Sequence, residues 1–129
     1  MTQDTLEELL KICTTECPFI HVDGNMFVQI DGVSMGSPLG VIFANFYMCH
    51  LENHVFNISP SLKPKLYCRY IDDCFLVLDD ISQIDNLISV FENESVLKFT
   101  SEIGNNASLN FLDVHLEKFH DHFLTSVFY

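Results

Sequence analysis

Two acids, Asp72 and Asp73, stand side by side between segments 66–71 and 74–78, both rich in aromatic and β-branched residues. Such runs read as strands, and a polar pair between them reads as a tight hairpin turn. The turn would hold two carboxylates together at the tip of a rigid ribbon. Like charges that close repel strongly unless a cation neutralises them or one takes a proton. Mg²⁺, which binds through one or two carboxylates plus substrate phosphates, suits such a pair, and Mn²⁺ could replace it. A solvated acidic turn is the plain alternative, since acids are common in turns.

The surrounding sequence favours the chemical reading. Upstream lies Gln29-Ile30-Asp31-Gly32-Val33-Ser34-Met35-Gly36-Ser37-Pro38-Leu39, followed by an apolar helix containing Ala44-Asn45. Downstream lies Leu109-Asn110-Phe111-Leu112-Asp113-Val114. The order Gly-Ser-Pro, Tyr70-Ile71-Asp72-Asp73, then Phe-Leu-Asp-Val resembles the reverse transcriptases of Penelope-like retroelements, and more loosely reverse transcriptases in general. The resemblance covers residues 19–129.

That resemblance implies a polymerase palm working on an RNA template, a DNA primer and deoxynucleoside triphosphates. Asp72 would be the more direct ligand of two Mg²⁺ ions and Asp73 the supporting one. Tyr70 would pack beside the primer terminus, with Ile71 facing it. Met35, Gly36, Ser37 and Pro38 would shape the nucleotide and template side. Many reverse transcriptases carry Gln where Met35 stands, whereas Penelope-like members resemble this chain there. The family's second Ser-Pro is replaced by Gly40-Val41. A third carboxylate comes, in that family, from a strand ahead of the Gly-Ser-Pro segment. Here the stretch before Phe19 is helical in pattern. The expectation is therefore a partial reverse transcriptase domain over residues 1–129, a palm with fingers, first catalytic strand and thumb largely missing. Alone it would be inactive.

Charge points the same way. The net charge is −12, and the six basic residues (Lys11, Lys63, Lys65, Arg69, Lys98 and Lys118) are scattered. Phosphate contacts need Lys and Arg, so the chain by itself should bind nucleic acid weakly or not at all. A non-catalytic remnant or interaction module is the rival reading.

Two further chemistries are weaker. Gly32-Val33-Ser34-Met35-Gly36 matches G-x-S-x-G, with Asp113 and His120 following in the order of a hydrolase triad. The alternating βαβ pattern of such hydrolases is lacking. Cys13 and Cys17 with His120 and His122 lack zinc-site spacing. Five cysteines without a C-x-x-C pair do not suggest a disulfide framework, and Cys68 and Cys74 should act as small hydrophobes in a buried hairpin. The apolar stretch 39–51, interrupted by Asn45 and His50, is too short to cross a bilayer. With no secretory n-region, the expectation is a soluble intracellular chain with no membrane partner.

The elements that must position these residues follow from patterning. Asp4-x-x-Glu7 has capping-box character before Leu6, Leu9, Leu10 and Cys13. Segments 19–22 and 26–30 flank the turn Asp23-Gly24-Asn25. Ser37-Pro38 should cap a helix running to about Phe56, apolar enough to be nearly surrounded by protein. Ser82 should cap a helix carrying Ile84, Leu87, Ile88 and Phe91 on one face. Leu97, Phe99 and Ile103 fit a half-exposed strand, and segments 109–116 and 123–129 two more. Helices on one face of a mainly antiparallel sheet give an α+β architecture.

Overall fold

The computed structural model describes residues 1–15, 18–30, 32–34, 36–37, 39–104 and 107–128. Cys17, Asp31, Met35, Pro38 and Tyr129 lie outside them. The chain divides into two units, Met1–His50 and Leu51–Tyr129. Its class is α+β, as the patterning implies, built from helices and small antiparallel sheets.

In the first unit, helix α1 (Gln3–Thr15) starts on Thr2 rather than on Asp4. The Thr2 hydroxyl accepts the Thr5 N–H at 3.3 Å, while Asp4 sits inside the first turn, where its charge suits the helix dipole. Strands β1 (Pro18–Ile20) and β2 (Met26–Val28) form the expected hairpin, shorter than the patterning suggested. Gly24 takes φ 83°, and the Asp23 carboxylate accepts the Asn25 N–H at 2.9 Å.

Helix α2 (Gly40–Ile58) runs from the first unit into the second. Enclosure all round is not found. Phe46 is 70% exposed, and the helix buries only Leu51 and Val55, one turn apart in its later half. The physical reason is that a two-stranded ribbon of three-residue strands is too small to cover a helix.

The second unit carries the core. A short 3₁₀ turn, Pro60–Leu62, leads into β3 (Leu66–Tyr70) and β4 (Asp73–Val77). Helix α3 (Gln83–Asn93) follows, and then β5 (Ser108–Phe111), β6 (Val114–Phe119) and β7 (His122–Val127). Leu51, Val55, Leu87 and Phe91 are the buried hydrophobic residues among those described. The i, i+4 face of α3 thus points inward as its spacing requires. Phe56 meets Tyr67 and Phe91 edge-on at 5.2 and 5.8 Å, and Phe91 meets Phe99 at 5.3 Å. Ser82 occupies the cap position of α3 but makes no side-chain cap bond; Asp80 instead accepts the Ser82 N–H at 2.9 Å.

Three expectations need correction. There is no single sheet among the described residues: β1–β2, β3–β4 and β5–β6–β7 are separate antiparallel sheets. Segment 97–103 forms no strand, because its backbone is claimed by side chains. The Phe99 N–H goes to the Glu92 carboxylate at 3.0 Å and the Leu97 N–H to the Ser95 hydroxyl at 3.2 Å. Segment 109–116 is not one strand either; it folds back at Leu112-Asp113, with Phe111 opposite Val114. Asp113 therefore lies in a turn.

Glu92 ties that irregular segment to α3 in a pH-dependent way. The Phe99 N–H, helped by Lys98 at 3.2 Å, holds its carboxyl below the usual value of 4.5. A depressed carboxyl contributes stability that is present above its unfolded pKa and lost as pH falls through the folded one. On acidification below pH 4.5, the Phe99 amide resonance should therefore titrate and the melting temperature should drop. In Glu92→Gln both changes should flatten; an unchanged acid limb would refute the tie.

Among the described residues no helix is long and apolar enough to cross a membrane.

Candidate functional site

The β3–β4 hairpin sets the geometry of the two acids. Tyr70 pairs with Asp73, so the two-residue turn is Ile71-Asp72, and Asp73 is the first residue of β4. The Asp-Asp pair thus straddles turn and strand instead of forming the turn. Tyr70, Ile71, Asp72 and Asp73 are all exposed. Both carboxylate-bearing residues line one groove of about 470 Å³. Its walls include Phe75 and Phe111, whose rings lie 5.4 Å apart, with Phe91 and Phe99.

Ile71 takes φ 57° at the first turn position. Two-residue hairpin turns normally put glycine or asparagine where φ is positive. A β-branched residue there is an outlier costing about 1–2 kcal/mol. Such strain persists only where surrounding contacts fix it, and it concentrates at functional sites. Ile71→Gly should release it. After the entropy cost of glycine, a net gain of roughly 0.5–1 kcal/mol is expected, seen as a higher melting temperature. A lower melting temperature would show that the side chain, 56% exposed, contributes more than its backbone costs.

Behind the acids stands a network that sequence reasoning did not find. The inner face of the hairpin carries Tyr67 and Arg69 on β3, opposite Leu76 and Cys74 on β4. Arg69 Nε donates to Glu52 Oε1 of α2, and Arg69 Nη1 donates to the Ile71 carbonyl at 3.0 Å. The Tyr67 hydroxyl donates to the same Glu52 oxygen at 3.0 Å and lies 3.2 Å from Cys74 Sγ. Burial, followed by contact with Cys74 and Glu52, pushes the Tyr67 hydroxyl pKa far up. Burial likewise raises that of the Cys74 thiol. Cys68, expected inside the hairpin, is on its exposed face. The available signal was the alternation Tyr67-x-Arg69 on one strand face; its partner Glu52, 17 residues from Arg69, carried none.

Gly36 and Ser37 belong to the first unit. Gly36 takes φ 85°, which favours glycine, and Ser37 Oγ accepts the Leu39 N–H at 3.3 Å just before α2 begins. Ser34 lies in an irregular segment, and its carbonyl accepts the Ser37 N–H at 3.2 Å. Asp113 and His120 flank the two ends of β6. At about 3.3 Å per residue they stand roughly 20 Å apart, too far for triad partners. The hydrolase reading fails on that geometry. His122 is paired with Asp121 at 3.1 Å, and Cys13, Cys49, Cys68 and Cys74 form no disulfide.

The donor set can be judged on its chemistry. Two exposed carboxylates on one groove fit a hard divalent ion shared with substrate phosphates. Glu102 lines the same groove, but among the described residues no group of three or more His, Cys, Asp or Glu could hold a metal. Four of the six basic side chains are paired with acids other than Asp72 and Asp73. Lys11 pairs with Glu7, Lys65 with Asp79, Arg69 with Glu52 and Lys98 with Glu92.

Comparison with protein-family models, curated proteins and solved structures gave no match for this chain.

Proposed function

We propose that the chain is a palm-type part of an RNA-directed DNA polymerase, with Asp72 and Asp73 as its metal-holding carboxylates. The observation that supports this most is the hairpin that brings both acids onto one groove. Mg²⁺ held there with the triphosphate of an incoming deoxynucleotide would neutralise charge on the attacking and leaving oxygens. Within this reading, Tyr70 and Ile71 border the primer end. Among the described residues no third ligand completes the metal group with Asp72 and Asp73.

Primer extension on an RNA template tests the proposal. The 129-residue chain alone should give no product. Supplying a carboxylate-bearing strand ahead of the Gly-Ser-Pro segment should yield Mg²⁺-dependent extension. Failure of every such assembly, under conditions where the fold is intact, would count against polymerase function.

One observation favours a second reading, a non-catalytic interaction module. Many large apolar side chains are exposed, among them Phe123 and Val127 on one face of β7 at 62–64%. Contiguous exposed apolar surface marks association sites. That reading predicts partner binding indifferent to Asp72 and Asp73.

A further inference from the structure

Arg69 reaches groups that are far apart in sequence. Its Nε meets the Glu52 carboxylate of α2, and its Nη1 meets the carbonyl of Ile71. That carbonyl belongs to the peptide joining Ile71 to Asp72. Fixing it fixes the plane from which Asp72, and then Asp73, projects. The Ile71 backbone is the one that needs fixing, since it sits at φ 57° with a β-branched side chain. Glu52 is itself anchored. Val55, one turn along α2, is fully buried, and the same Glu52 oxygen accepts the Tyr67 hydroxyl. The Arg69 and Glu52 side chains are only 12% and 15% exposed, so the pair is shielded from water and holds one geometry.

We propose that Glu52 and Arg69 form a positioning clamp that carries the rigidity of α2 to the Ile71 turn and presets the two carboxylates for a divalent ion. The clamp rests on the metal-site reading above only for its purpose. Its geometry stands independently. Neither residue would touch metal or substrate, so both are positioning residues.

Charge and position make opposite forecasts, which gives the clamp a clean test. Removing a cation near two carboxylates should by itself tighten cation binding. Losing a positioning contact should loosen it, and outer-shell partners typically change metal affinity by about tenfold or more. Mn²⁺ titration of the whole chain, followed by NMR, should thus show about tenfold weaker binding in Arg69→Lys and Arg69→Ala. Ile71→Gly added to either variant should restore affinity, because glycine adopts positive φ without support. If Arg69→Ala does not fold because Glu52 loses its cation, Arg69→Lys, which keeps the charge, carries the test.

A readout independent of metal separates the two proposals. The Ile71 carbonyl ¹³C and Asp72 amide ¹⁵N resonances should shift in Arg69→Lys and in Glu52→Gln, even if Mn²⁺ proves to bind elsewhere. Mn²⁺ bound elsewhere would end the metal-site reading and leave the clamp. With Mn²⁺ at the hairpin, tighter or unchanged binding in Arg69→Ala, or no rescue by Ile71→Gly, would overturn the clamp; with Mn²⁺ elsewhere, unshifted Ile71 and Asp72 resonances in Arg69→Lys would.

Discussion

Phe91→Ala should unfold the second unit at room temperature. Phe91 is 5% exposed and joins the rings of Phe56 and Phe99, so its ring links α2, α3 and the segment after α3. Truncating a buried Phe costs about 3–5 kcal/mol, through lost transfer energy and the cavity left behind. Small domains hold only about 5–15 kcal/mol in total. With Leu51, Val55 and Leu87 as the other buried hydrophobic residues described, this unit has little reserve. Amide dispersion over residues 51–128 should collapse in the variant, while Phe123→Ala, at a ring 64% exposed, should leave it intact. Cooperative melting of Phe91→Ala within a few degrees of the parent would show that the core lies elsewhere.

The second large effect concerns Asp72. In any assembly that extends a primer, Asp72→Ala should cut the rate by about a thousandfold or more, since losing even one preorganised charge-stabilising contact costs 10²–10³ in such sites. Asp113→Ala should cost far less, because Asp113 sits in the β5–β6 turn. Single-turnover kinetics at saturating Mg²⁺ separates loss of chemistry from loss of metal binding. Equal rates for the two variants would remove Asp72 from the reaction.

Patterning made much of this legible and misled in definite places. The hairpin around Asp72 and Asp73 was readable because aromatic and β-branched runs flank it. Its register was off by one, since turn chemistry assigns polar residues to turns and this turn uses Ile71. The same thing happened at Leu112, which takes φ 52° in the middle of an apolar run and so hid a turn. Helix α3 was legible from its i, i+4 apolar face. Helix α2 was misjudged because apolarity all round suggests burial but cannot say whether neighbours exist to provide it. The Glu52–Arg69 contact joins residues 17 apart on different elements, a pairing that no local pattern encodes.

Everything functional turns on whether the Asp72–Asp73 hairpin holds a divalent ion. Paramagnetic broadening by substoichiometric Mn²⁺, read across all assigned amides of the 129-residue chain, measures this directly. Broadening should appear first at residues 70–74, saturate weakly because only two carboxylates contribute, and vanish in Asp72→Ala and Asp73→Ala. Mg²⁺ should compete it away. Broadening that begins at His120 and His122, or that survives both substitutions, would contradict the account.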